Sequence, residues 1–258
     1  MAAMTGPLAF GLVAAFGVAI GSFLNVCVYR LPRGESIVSP PSRCPSCGQG
    51  LRWFDNVPVW SWIRLGGRCR TCRATISPVY PFVEAVTGTL FLLQYWQLGW
   101  QPLLGIRLLF VAAMIVLFVI DLQHRILPDV ITLPGIVIGL AASMFLEPGW
   151  QAALSESPPG EVLWAVGEAY FRVRGEEGMG VGDVKMLAMI GAFLGWQLTL
   201  VTLLFASLTG SAVGVGMVMF DRRHMKYQLP LGSFLAAGAV VAAHFGQSLI
   251  AWYVGLFS

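Results

Sequence analysis

Charge is what this chain has least of. Only 11% of its 258 residues are Asp, Glu, Lys or Arg, against 57% hydrophobic. A soluble domain carries roughly a quarter charged residues, so a water-soluble globule is excluded. Histidine is nearly as scarce, three in all, and no HExxH pair occurs. That removes metalloproteases of the HExxH design. No GxSxG is present, so a serine on a nucleophile elbow finds no support, and no GxGxxG opens a strand–helix unit. An ordinary dinucleotide-type cofactor site therefore cannot be assigned. Internal repeats and low-complexity tracts are missing too. The N-terminal segment lacks a basic start and an A-x-A cleavage site, so it reads as a retained span and not a signal peptide.

What the chain has instead is long apolar runs, gathered in blocks where a soluble core would scatter them. A bilayer-spanning helix needs about 20 mostly apolar residues. Candidates fall at approximately 8–28, 79–98, 103–122, 129–147, 158–173, 184–196, 198–220 and 230–253. The fifth is the weakest, because it carries Glu161 and Glu168 and runs into Arg172 and Arg174, and the sixth is short; without the fifth the count would be seven. The expected fold is an all-α polytopic membrane protein of about eight transmembrane helices. With the loop 30–78 on the cytoplasmic side, every Lys and Arg except Arg107 falls at a cytoplasmic end or loop, as orientation by basic residues requires. Deleting the fifth span would turn the basic stretch Arg222–Lys226 outward. The net charge of +3 follows from topology and calls for no nucleic acid.

The one sizeable polar region, 30–78, is rich in Pro, Gly, Arg and Trp and has no helical period. It holds Cys44 and Cys47 as CPSC and Cys69 and Cys72 as CRTC, with 21 residues between the pairs. Two CxxC knuckles complete a tetrahedral thiolate site for Zn²⁺, although the separation slightly exceeds the usual ribbon range. A module of this size cannot bury enough apolar surface to fold unaided, and a structural metal would supply the missing stability. Redox-active or disulfide-bonded CxxC pairs are the rival reading; a reducing cytoplasmic side disfavours structural disulfides. Four cysteines leave no open coordination position, so catalytic zinc is not expected. Cys27 reads as an inert buried thiol.

Ionisable groups inside membrane helices are costly and mark functional sites by default. Asp121, in LFVIDLQHRILPD, ends the third span, and Asp183, in GMGVGDVK, opens the sixth, 62 residues on. Both fall at one expected depth. Two facing carboxylates cannot both ionise cheaply, so one keeps its proton; such a pair can activate water and polarise a peptide carbonyl. Gly178, Gly180 and Gly182 would let an extended substrate approach closely. Lys185 could orient a carboxylate or reach for the interface. The plainer readings are an N-cap role for Asp183 and pairing of Asp121 with His124 or Arg125. Asp129 reads better as an N-cap than as a catalyst. Glu84 could partner an Arg or act as an acid. His224 and His244 show no ligand spacing. A proton-coupled transporter with an Asp121–Asp183 relay is the reading from a different class; it would call for repeats or paired broken helices.

With both aspartates and the cysteine loop in view, the chain resembles the bacterial type IV prepilin peptidases. GSFLNVCVYRLPRG (21–34) looks like that family's first-helix exit. Residues 44–84, from CPSC to YPFVE, are similar to its cytoplasmic zinc loop. FVIDLQHRILPDVITLP (118–134) and GMGVGDVKMLAMIGAFLGW (178–196) resemble its two aspartate motifs, with GxGD at Gly180–Asp183. The resemblance implies a GxGD-type aspartic endopeptidase of the bacterial inner membrane, with Asp121 and Asp183 as the catalytic pair. It implies removal of the basic leaders of prepilins and pseudopilins at a Gly–Phe type bond. It implies, further, N-methylation of the new terminus with S-adenosylmethionine; preflagellin-type relatives, which cut without methylating, lack such a cysteine loop. The chain divides accordingly into a first span (1–29), a cytoplasmic zinc-ribbon-like module (30–78) and a helical peptidase domain (79–258). The methyl-donor site stays unassigned, with 30–78, including Trp53, Asp55, Asn56, Trp60 and Trp62, the leading region by elimination. Those aromatics could equally anchor the module at the membrane surface.

Overall fold

The computed structural model describes residues 6–145, 180–220 and 230–256. Among them every regular element is helical, apart from two isolated β-bridges, Arg43 with Gly50 and Arg68 with Thr75. The helices are α1 (Pro7–Arg30), α2 (Trp60–Arg64), α3 (Val79–Leu98), α4 (Pro102–His124), α5 (Asp129–Phe145), α6 (Val181–Leu194), α7 (Trp196–Phe220) and α8 (Leu231–Gly255). Helices suit an apolar solvent because each satisfies its own backbone N–H and C=O groups. Buried hydroxyls follow the same rule: Thr87 and Thr202 each bond the carbonyl four residues back, at 2.7 and 2.8 Å.

Seven of the eight expected spans coincide with a helix; the segment 158–173 lies outside the described residues. Among the described residues four helices are long and apolar enough to cross a membrane on their own: α1, α4, α7 and α8. α6 has 14 residues, so it reaches about 21 Å at 1.5 Å per residue, short of a hydrocarbon core of about 30 Å; α5 is described over 17 residues, up to Phe145. α3 is long enough but diluted by Glu84, Gln94 and Gln97.

The chain divides into two compact units, Met1–Val116 and Leu117–Ser258, with the boundary inside α4. In the first, α1 packs along α3. Lipid tails are as apolar as side chains, so this pairing depends on close van der Waals fit and not on hydrophobic expulsion. Gly17 and Gly21 stand four apart on α1, and a Cβ at Gly21 would come within 2.7 Å of Glu84 Cα. Only hydrogen fits there. The bare ridge brings the two backbones together and buries Phe91, Thr87 and Tyr95. In the second unit, α5 packs on α6 and α7 on α8, and α6 also touches both α7 and α8. Many large apolar side chains, such as Leu200, Leu204, Leu208 and Trp252, point outward, as a lipid-facing surface requires.

Candidate active site

The cysteine module belongs to the first unit. Each CxxC forms the same local turn. Cys44 N–H bonds Gln49 carbonyl and Gly48 N–H returns to Cys44 carbonyl, both at 2.9 Å; Cys69 pairs likewise with Ala74 (2.8 Å) and Arg73 (3.1 Å). The fifth residue of each turn is left-handed: Gly48 at φ 71° and Arg73 at φ 60°. All four sulfurs lie within 4.8 Å of one another, with Cys44 and Cys72 at 3.8 Å. A tetrahedral zinc with Zn–S of about 2.3 Å spaces its sulfurs about 3.8 Å apart, so the donor set fits such an ion. All five cysteines are free thiols, and no disulfide pairs the knuckles.

Electrostatics point the same way. The Cys47 backbone N–H, opposed by burial and aided by the Ser46 N–H, draws the Cys44 thiol down to about 6. Cys72 is drawn down by Ala74 N–H, but desolvation and the thiols of Cys47, Cys69 and Cys44 outweigh it and push Cys72 up to about 11. One sulfur ionises readily and the next resists it. A divalent cation removes that conflict, and soft thiolates favour zinc.

Around this cluster the module is stitched to its own helices. Asp55 takes a forked hydrogen bond from Arg70, at 2.5 to 3.1 Å, with Arg64 at 3.8 Å; Arg70 holds the Asp55 carboxyl below its usual range. Arg30, buried at the end of α1, donates to the carbonyls of Ser36 and Pro40. Glu84, read from the sequence as either an arginine's partner or an acid, is buried on α3 and accepts a backbone amide. Val59 N–H donates to Glu84 Oε2 at 2.7 Å. Val59 sits at φ 58°, ψ −52°, the centre of a strained γ-turn closed by Trp60 N–H on Pro58 carbonyl. A cavity of about 380 Å³ opens beside this turn, lined in part by Ser22, Phe23, Arg30, Ser42, Asn56 and Pro58.

The aspartates belong to the second unit. Asp121 stands one turn before the end of α4, where Arg125, at φ 55°, returns its N–H to Asp121 carbonyl at 2.8 Å. A left-handed residue ends a helix this way. Asp121 is 5% exposed. Its Oδ2 accepts the Ser233 N–H at 2.6 Å and the Ser233 hydroxyl at 2.9 Å, across 112 residues. Gly232 makes that approach possible, because a Cβ there would meet Asp121 Cγ at 3.0 Å and Leu127 Cδ1 at 3.1 Å. A Cβ on Gly182 would meet Leu127 Cβ at 3.2 Å. Leu127 thus wedges between the N-terminal ends of α6 and α8, and Asp183 feels the charge of Asp121.

The sequence placed the start of α6 at 184, with Asp183 as a possible cap. The helix begins earlier: Gly180 is the cap, and Asp183 lies in the first turn with its N–H on Gly180 carbonyl at 2.9 Å. Asp129 is likewise the first residue of α5 and not its cap. Lys185 Nζ lies 2.8 Å from both Asp129 oxygens, so it ties α6 to α5. Gly178 and His224 lie outside the described residues. His244 bonds Val240 carbonyl through Nδ1 at 2.7 Å, the satisfied buried histidine expected. Sequence reasoning missed Ser233 and Gly232. The signal was the PLGS at 230–233, a helix start beside which no chemistry was suspected.

A helical membrane protein with a tetrathiol cluster and carboxylates at helix ends is the class these features define. Residues 15–98 match the family model described as the bacterial Peptidase A24 N-terminal domain, and residues 108–215 match the type IV leader peptidase family. The chain is 35% identical to a prepilin leader peptidase/N-methyltransferase of Pseudomonas aeruginosa over 96% of its own length and 94% of that protein. It is 36% identical to one from Aeromonas hydrophila (97% and 95%) and 41% identical to one from Myxococcus xanthus (84% and 66%). The chain belongs to the type IV leader peptidase family. No solved structure matches it.

Proposed function

We propose that this protein is a bifunctional enzyme of the bacterial inner membrane that cuts basic leaders from prepilins and pseudopilins, then N-methylates the exposed terminus. The observation that carries the peptidase reading is the meeting of α6 and α8 at Leu127, where Asp121 of α4 bonds Ser233 and Asp183 lies within electrostatic reach. In this reading the ionised carboxylate takes a proton from water as the water oxygen bonds the scissile carbonyl carbon. The protonated carboxyl gives its proton to the carbonyl oxygen. The resulting gem-diol then collapses: the C–N bond breaks, the nitrogen takes the first proton, and a diol hydroxyl returns the second. Asp121 and Asp183 are the two acids. Gly180 keeps the cap of α6 free of a side chain for an extended backbone to approach, Gly182 admits Leu127 against the helix, and Lys185 fixes α6 through Asp129.

The eight-span topology, with the aspartates and the cysteine module facing the cytoplasm, puts the cut where a basic leader meets an apolar helix. Cys44, Cys47, Cys69 and Cys72 would hold a structural zinc. The methyl donor, S-adenosylmethionine, supplies an electrophilic methyl group when bound. We assign it to the cavity beside the Val59 turn: its volume of about 380 Å³ suits a nucleoside-sized ligand, and Ser22, Asn56 and Arg30 offer polar groups for its ribose and carboxylate. The test is mass spectrometry of a prepilin incubated with the purified enzyme, with and without S-adenosylmethionine. Loss of the leader in both samples, with 14 Da (the mass of one CH₂) added only in the second, is expected. An intact leader in both would sink the reading.

A further inference from the structure

We propose that the two aspartates are inequivalent by construction: Asp121 is the ionised member that takes the proton from water, held so by the N-terminus of α8 acting through Ser233, and Asp183 is the proton-bearing acid. This rests on the peptidase reading above. A backbone N–H can only donate, so the 2.6 Å contact from Ser233 N–H fixes Asp121 Oδ2 as an acceptor. The length is that of a hydrogen bond to a charged oxygen. The Ser233 hydroxyl adds a second donor at 2.9 Å, although Phe118 carbonyl, one turn back on α4, competes for it at 3.1 Å. A carboxylate buried this deeply stays charged only with such donors. The α8 terminus adds its own positive end, which Gly232 lets approach within contact of the carboxyl group.

Asp183 has a weaker claim to the charge. It also lies in the first turn of a helix, but the donor to its carboxyl is a single backbone N–H, from Gly180, against the two donors that Ser233 supplies to Asp121. With Oδ2 occupied by Ser233, Oδ1 of Asp121 is the oxygen left to receive the proton. Ser233 is therefore a positioning residue, and PLGS is the part of the site contributed by the last helix. The titratable groups near the pair are Asp183 on α6, His124 and Arg125 beyond Asp121 on α4, and the Lys185–Asp129 pair joining α6 to α5. On α8 the described residues nearest Asp121 carry no titratable side chain.

The test compares Ser233→Ala and Ser233→Thr in the full-length enzyme, using leader cleavage as a function of pH. Asp121→Asn serves as control. Ser233→Ala is expected to lower kcat by about 10–100-fold, in line with losing one hydrogen bond to a charged group. KM should stay level, and the acidic limb of the rate profile should move to higher pH. Ser233→Thr, which keeps the hydroxyl, is expected to restore both rate and limb. An alanine variant with the wild-type profile, or one slowed with its limb unmoved, overturns the proposal. If Asp121→Asn itself cleaves normally, the peptidase reading fails first, and the two failures are thereby told apart.

Discussion

The tetracysteine cluster and the aspartate site solve the same problem, gathering reactive groups at one point, by opposite means. The sulfurs are gathered locally: each pair sits on one turn closed by its own backbone hydrogen bonds, and only the joining of the two turns needs distant chain. The carboxylates are gathered globally, from helix ends 62 and 112 residues apart, with glycines and Leu127 setting the clearance. A turn cluster tolerates sloppy surroundings once a cation binds it. A helix-end cluster has no cation to correct it, so its precision must come from packing. The first therefore rests on local turn geometry and the second on shape.

Five substitutions would break or sharpen that contrast. The largest effect is expected from Asp121→Asn or Asp183→Asn. Each should lower leader cleavage by at least about 10³-fold, near the upper range for losing an acid or base, while the zinc content stays unchanged; a gel assay in detergent together with metal analysis reads both. Cys44→Ser should do the reverse. It is expected to abolish stoichiometric zinc and leave residues 30–78 open to protease, with peptide cleavage by the aspartates reduced far less. Asn56→Ala comes next, and it should weaken S-adenosylmethionine binding measured by calorimetry by about tenfold, the scale of one lost hydrogen bond, with the leader still removed at the normal rate. The smallest effect belongs to Arg73→Gly. It matches the second knuckle to the first at the left-handed position and should slow chelator-driven zinc release slightly, for a gain of about 0.5 kcal/mol.

The contrast also explains what could be read from the sequence. Cys44, Cys47, Cys69 and Cys72 announce themselves because ligand spacing within a turn is a property of neighbouring residues. The apolar runs likewise place seven helices within a few residues. Asp121 and Asp183 stand out because charge is rare in such runs. What could not be read is who faces them. Ser233 looks like any residue near a helix start, and its bond to Asp121 exists only once α4 and α8 are packed. The start of α6 was misjudged by three residues because glycines give no apolar signal. The C-terminal end of α6 at Leu194, two residues before the expected 196, is set by Gly195 at φ 80°, a backbone stop that hydropathy does not register. Glu84 was left open between an ion-pair partner and an acid, and the amide that it accepts, from Val59, could not be read from either.

That amide has a mechanical side. Val59 points its N–H at a carboxyl group on α3, a helix whose seam with α1 is bare enough to be rigid. The cysteine-bearing segment is thereby geared to a membrane helix in the manner of a rudder on its post. Helices lean as the surrounding bilayer thickens or thins. A lean of α3 would therefore pull on Val59, and with it on Pro58 in the wall of the cavity beside that turn.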